Sequence, residues 1–166
     1  MQNKDGQTAS DKLPMTIRGK SMLEAELKKL LHEERPSIIK AIEEARSHGD
    51  ISENAEYESA KERQSMVEGR IADIQSKLAG ADVIDTSAIK SDRIVFGAVV
   101  TMSDVDSDEV QTYQIVGVDE SDVKNGMISI LSPIARALIG KKVGDQVIVQ
   151  SPKGDKEYEV VKFLFK

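Results

Sequence analysis

The chain has 166 residues, enough for one ordinary domain or two small ones, and a formal net charge of −6 from 23 Lys plus Arg against 29 Asp plus Glu. That acidity excludes nucleic-acid affinity driven by bulk charge, so any basic footprint must be local. With no Cys there is no disulfide, thiolate-held metal or thiol nucleophile, and two His leave little for an imidazole-based site.

Residues 1–14 are polar and small and read as a flexible N-terminal extension. They lack the apolar core of a secretory leader, and no apolar run in the chain approaches the ~18 residues of a membrane span, so no membrane partner and a cytoplasmic location are expected. Residues 16–48 read as one long helix. Leu23, Leu27, Leu31, Ile38, Ile42 and Ala45 form an apolar stripe with one local shift in phase, and Pro36 inside the run marks a possible kink. Residues 52 to about 79 read as a second helix, with Ala60, Gln64, Val67, Ile71, Ile74 and Leu78 alternating by four and three along a heptad seam. Between them, Gly49 is suited to end the first helix, and Asp50 or Ser52 to cap the second. So short a link forces an antiparallel hairpin. Arms of about 28 residues extend about 40 Å and are expected to project as a rod.

From about residue 92 the periodicity falls toward two. Candidate strands are 94–102, 112–117, 127–131, 146–150 and 156–164, the last two joined by the turn Pro152-Lys153-Gly154-Asp155. Ser132 as cap, Pro133 at the first helical position and Gly140 at the end predict a short helix. The expected architecture is α+β: the extension, a coiled coil over 15–80 with its tip at 49–57, a linker at 81–91, and a β-rich domain over 92–166.

The tip concentrates the chemistry. Asp50, Glu53 and Glu56 fall within seven residues. Asp50 and Glu53 fit a capping box, which acidic residues at a helix N-terminus also suit electrostatically. They equally fit metal delivery, since Mg²⁺ is commonly held by one or two carboxylates plus ligands from elsewhere. Two carboxylates make no closed site, so no metal is expected to be bound stably by the isolated chain. The cations Arg35, Lys40, Arg46, Lys61, Arg63 and Arg70 read mainly as a solvated face paired with helical neighbours such as Glu43, Glu44, Glu58 and Glu62. Arg46 and Lys61 lie nearest the tip and could touch a phosphate backbone. His48 suits the C-terminus of its helix. The run 104–109 lacks the Gly and distal Glu of a calcium hand and reads as a solvated hairpin loop.

Three stretches together resemble the Gre transcript-cleavage factors, bacterial proteins that bind RNA polymerase: Leu13-Pro14-Met15-Thr16 followed by Gly19; Gly49-Asp50-Ile51-Ser52-Glu53-Asn54-Ala55-Glu56-Tyr57; and Ser129 with Ser132-Pro133-Ile134-Ala135-Arg136-Ala137-Leu138-Ile139, then Gly144-Asp145. The resemblance covers about residues 13–166. It implies an FKBP-like globular domain docked at the rim of the polymerase secondary channel, with the coiled coil entering the channel. Ser132, Pro133, Ile134 and Arg136 would then face the rim, and Arg46 and Lys61 the channel and RNA. Asp50 and Glu53, supported by Gly49, Ser52, Asn54, Glu56 and Tyr57, would help hold a second Mg²⁺ in the polymerase active site. The polymerase would cleave backtracked RNA near its 3′ end and resume elongation; the factor, a monomer, would be no nuclease itself. The mixed charge of residues 62–70 points to the GreA-like branch, with short cleavage products, rather than the more basic GreB-like one. Alternatives are a channel-binding regulator without cleavage activity and a tethered peptidyl-prolyl isomerase. For the latter, Phe96, Phe163, Phe165, Tyr113 and Tyr158 are scant material for an aromatic pocket.

Overall fold

The computed structural model describes residues 13–49 and 54–166. It comprises two compact units, one formed by residues 20–80 and the other by the described residues up to Gly19 together with Ala81–Lys166. The fold is α+β, a helical hairpin followed by a β-rich domain, as the sequence pattern predicts.

In the helical unit, α1 (Ile17–Lys29) runs through a π-helical turn (Leu30–Glu34) into α2 (Arg35–Ser47), and α3 (Ala55–Gly80) returns. Glu26 pairs with Arg70, Arg35 with Glu68 and Ala45 with Asn54, so one partner's number rises as the other falls and the arms are antiparallel. The 26 residues of α3 extend about 39 Å. Ile38, Ile42, Ala45, Ala60, Ile71 and Ile74 are buried, the seam expected from their spacing.

The π turn explains the phase shift. Continued past Leu30, the four-three alternation of Leu23 and Leu27 would fall on Glu34, Ser37, Ala41 and Glu44. The buried residues are Ile38, Ile42 and Ala45, each one position later than Ser37, Ala41 and Glu44. A π turn absorbs one extra residue, and the Arg35 N–H donates to the Leu30 carbonyl five residues back. Pro36 is the local cause: it has no N–H, and its ring excludes the carbonyl four residues before it. It sits at the start of α2, just after the widened turn.

The cations differ from expectation. Arg35 makes a two-pronged pair with Glu68 at 2.7 Å for both contacts, and Arg70 does the same with Glu26 at 2.7 and 2.8 Å. Arg63 reaches Glu34 at 3.9 Å. Arg35 and Arg63 cross between the arms, and Arg70 does so while also pairing with its helical neighbour Asp73 at 2.8 Å; among the described residues none of the three pairs with Glu43, Glu44, Glu58 or Glu62. An antiparallel seam places flanking positions of the two helices opposite each other, and the guanidinium fork matches a carboxylate better there.

In the globular unit, β1 (Pro14–Thr16) pairs in parallel with β2 (Asp82–Ile84). The main sheet holds β3 (Ala98–Asp104), β4 (Val110–Val116), β5 (Met127–Ser129), β6 (Gln146–Val149) and β7 (Lys156–Phe165), in the order β5-β4-β3-β7-β6. Only the β4–β5 pair is parallel there. Helix α4 (Pro133–Leu138) follows β5, and its Ala135 and Leu138 join Val100, Met102, Ile115 and Val160 in the core.

In the globular unit some boundaries depart from the sequence reading. Pro14 and the segment 82–84 were assigned to extension and linker but form the β1–β2 pair; strands of three residues are too short to show a period. The first sheet strand begins at Ala98, not Ile94. Ile94 is buried but exchanges backbone hydrogen bonds with Gly140 and Lys141 in the loop after α4, at 2.7 and 2.9 Å.

Candidate functional site

The hairpin tip is built from two helix ends. At the end of α2, the Ser47 hydroxyl donates to the Glu44 carbonyl at 2.6 Å and the His48 N–H to the Ala45 carbonyl at 3.3 Å. His48, exposed, is the C-cap. Gly49 follows with φ +113°, a conformation that side-chain-bearing residues rarely adopt, so glycine ends this helix as its position suggests. Asp50, Ile51, Ser52 and Glu53 lie outside the described residues.

Asn54 opens the second arm, and α3 starts at Ala55, three residues later than the spacing suggests. The Asn54 Oδ1 accepts from the Glu56 N–H at 3.0 Å and the Tyr57 N–H at 3.2 Å. The N-cap of α3 is therefore Asn54; Asp50 and Ser52, the caps expected from the sequence, lie outside the described residues. The Asn54 Nδ2 donates to the Ala45 carbonyl at 2.6 Å, joining the two arms. Glu56 is exposed in the first turn, where its charge favours the helix N-terminus. Tyr57 is half-buried against Ile38, Ile42 and Ala60.

Arg46 and Lys61 flank this end. The Arg46 guanidinium lies 5.7 Å from the Tyr57 ring centroid, a cation–π contact across the arms. The Lys61 Nζ donates to Gln64 at 3.0 Å. Both are exposed, and among the described residues neither is ion-paired to a carboxylate, unlike Arg35, Arg63 and Arg70. The paired carboxyls behave accordingly: the Arg70 hydrogen bonds hold Glu26 below its ordinary range, and those of Arg35 do the same to Glu68.

In the globular unit, the Ser132 Oγ accepts from the Ala135 N–H at 3.3 Å and caps α4, with Pro133 exposed at the first helical position. Ile134 packs partly against the core and Arg136 is exposed. Exposed Leu131 and Ile139 bracket the helix.

Two family models match in chain order: "Transcription elongation factor, N-terminal" over residues 13–83, and "Transcription elongation factor, GreA/GreB, C-term" over residues 89–164. The chain belongs to the GreA/GreB family. It is 58% identical over 156 residues to the protein named transcription elongation factor GreA of Hyphomonas neptunium, covering 94% of this chain and 99% of that one. It is 54% identical to the protein of the same name from Halorhodospira halophila, covering 93% and 98%. Among solved structures it is similar to GreA factor homolog 1 (Gfh1) of Thermus thermophilus, at 27% identity, 92% and 99% coverage and a TM-score of 0.43.

In this GreA/GreB family member, the run 104–109 forms the turn between β3 and β4. The Asp104 carboxylate accepts from the backbone N–H groups of Asp106 and Ser107 at 2.9 and 3.3 Å, which holds it below its ordinary range. Among the described residues no group of three or more His, Cys, Asp or Glu is placed to hold a metal ion. Sequence reasoning missed the cap at Asn54, although Asn ranks among the best N-cap residues and this one directly precedes Ala55. It also missed the buried Glu120, which accepts from the N–H groups of Thr16 and Gly117 at 3.0 and 3.1 Å and from the Thr16 hydroxyl. No local signal marks that residue, because Thr16 lies 104 positions away.

Proposed function

We propose that this chain is a GreA-like factor that binds the bacterial RNA polymerase elongation complex through its secondary channel and stimulates the polymerase's own cleavage of backtracked RNA. Asp50 and Glu53 are the residues assigned to that chemistry. They would contribute carboxylate oxygens to a second Mg²⁺ whose remaining ligands come from the polymerase and the RNA. Such an ion, when bound there, activates a water and steadies the leaving oxygen. The factor makes and breaks no RNA bond itself.

The observation that carries this reading is the cap. Helix α3 begins at Ala55, and the acceptor for its Glu56 and Tyr57 amides is Asn54. The cap of α3 is thus supplied by a residue other than the two acids, which supports reading them as a pair for delivery to a partner. The cation pattern supports the GreA-like branch. Arg35, Arg63 and Arg70 are engaged by Glu68, Glu34 and Glu26, which removes three hairpin cations from any basic strip, and the relatives above carry the name GreA. Arg46 and Lys61 remain for contact with the channel or RNA. Ser132, Pro133, Ile134 and Arg136, at a capped helix start flanked by exposed Leu131 and Ile139, suit the polymerase rim.

The test is transcript cleavage on stalled, backtracked bacterial elongation complexes with Mg²⁺, comparing the parent with Asp50→Asn/Glu53→Gln at matched polymerase occupancy. Cleavage by the parent alone is expected. Equal cleavage by both would remove the carboxylates from the chemistry, and none by either would indicate a channel-binding regulator without cleavage activity.

A further inference from the structure

Helix α2 ends with carbonyls that have no partner within the helix, and α3 begins with amides in the same position. Here one side chain serves both. The Asn54 Oδ1 accepts from two first-turn amides of α3, while its Nδ2 donates to the Ala45 carbonyl in the last turn of α2. A carboxamide carries its acceptor and its donor on two separate atoms; Asp supplies acceptors alone, and Ser or Thr hold both functions on one hydroxyl oxygen. The Ala45–Asn54 bond also closes a short loop, and the four residues between Gly49 and Asn54 are 50–53. Ala45 is 2% exposed, so the carbonyl at the far end of this bond belongs to a packed turn and does not move freely. Tyr57, whose amide Asn54 also holds, lies against the buried seam and under Arg46.

We propose that Asn54 is a positioning residue for the metal-dependent step. Its carboxamide ties the two helix ends together and so fixes both attachment points of the segment that carries Asp50 and Glu53. This rests on the cleavage reading above. A carboxylate pair that must complete a metal site in a partner gains little if the segment bearing it wanders, because small displacements of catalytic groups carry large rate costs. The tie acts on how the acids are presented, and leaves docking of the factor to other residues.

Two substitutions separate the tie from the cap. Asn54→Ser and Asn54→Asp both keep an N-cap acceptor of good rank; Asp has no donor for the Ala45 carbonyl, and the single Ser hydroxyl sits one bond closer to the backbone than the Asn Nδ2. The full-length parent and both variants are compared on backtracked elongation complexes, at saturating factor, across a Mg²⁺ titration. Helical circular dichroism and polymerase binding are measured alongside. The expected result is near-parental melting and binding for both variants, a maximal cleavage rate lower by about tenfold, and a higher half-saturating Mg²⁺ concentration. Parental rates at every Mg²⁺ concentration would reduce Asn54 to a cap. So would a defect in Asn54→Ser that Asn54→Asp rescues, because the rescued variant still lacks the donor. A loss explained wholly by weaker polymerase binding or lower melting would also overturn it. Asp50→Asn/Glu53→Gln is run in parallel: if that variant cleaves like the parent, the cleavage reading itself fails and takes this inference with it.

Discussion

Glu120 shows how much one side chain can hold. It is 3% exposed, and its carboxylate accepts from the Thr16 N–H at 3.0 Å, the Gly117 N–H at 3.1 Å and the Thr16 hydroxyl. The Thr16 Oγ1 in turn accepts from the Gly19 N–H at 3.0 Å at the start of α1. Gly19 leaves the room this needs: a Cβ there would stand 2.3 Å from the Glu120 Cδ. Replacing Glu120 by Ala strands buried donors, so the expected loss of stability is about 2–4 kcal/mol, against about 1–2 kcal/mol for Thr16→Val. Because the two share their bonds, the double variant should lose less than the sum of the single losses. Urea unfolding followed through amide exchange of the main sheet checks this, and additive losses would show that the two do not act together. A lone Glu between Gly117 and Ser121 reads in sequence as a solvated loop acid. Only the tertiary partner, far along the chain, makes it a core residue.

At the level of elements, long-period features were legible and cross-element pairings were not. The hairpin seam, the Ser132–Pro133 helix start and the terminal β-hairpin followed from spacing and cap chemistry, and the π turn was visible as a slip in the apolar stripe beside Pro36. What spacing could not supply was the partner of each charge. Arg70 hydrogen bonds hold Glu26 below its ordinary value of 4.5, Arg35 does so for Glu68, and Lys77 and then Arg70 lower Asp73. A carboxyl with a depressed folded pKa stabilises the fold above its unfolded pKa, and that contribution is lost as pH falls through the folded value. The hairpin is therefore expected to keep constant stability near neutrality and to lose it on acidification below about pH 4.5. The pairs are partly open to solvent, so each contributes modestly. Melting followed by helical circular dichroism should show this acid limb, and Glu26→Gln/Glu68→Gln should flatten it while slightly lowering the neutral plateau. Equal acid slopes in parent and variant would assign the acid sensitivity to other carboxylates.

At the scale of the whole molecule, the helical unit is an insertion into the globular one. The chain contributes β1, leaves through α1, and returns at Ala81 to lay β2 beside β1, with Pro14, Met15 and Thr16 opposite Asp82, Val83 and Ile84. Met15 is buried, and Thr16 holds Glu120, so the globular unit is incomplete without residues that precede the hairpin in sequence. Replacing residues 20–80 with a flexible linker of about twelve residues, enough for a connection between parallel strands, should leave a folded unit. Residues 81–166 alone should melt well below it, since the Glu120 carboxylate loses its Thr16 partners and the burial of Met15 is lost. The linked form carries Ser132, Pro133, Ile134 and Arg136 but neither Asp50 nor Glu53. On backtracked elongation complexes it should fail to stimulate cleavage and, added in excess, should compete with the full chain. Amide exchange of the main sheet checks the folding, and a competition titration checks the second part. If residues 81–166 fold as stably as the linked form, the β1 and Glu120 contacts are dispensable. If the linked form folds yet never competes, polymerase binding resides in the hairpin and the assignment of the rim residues is wrong.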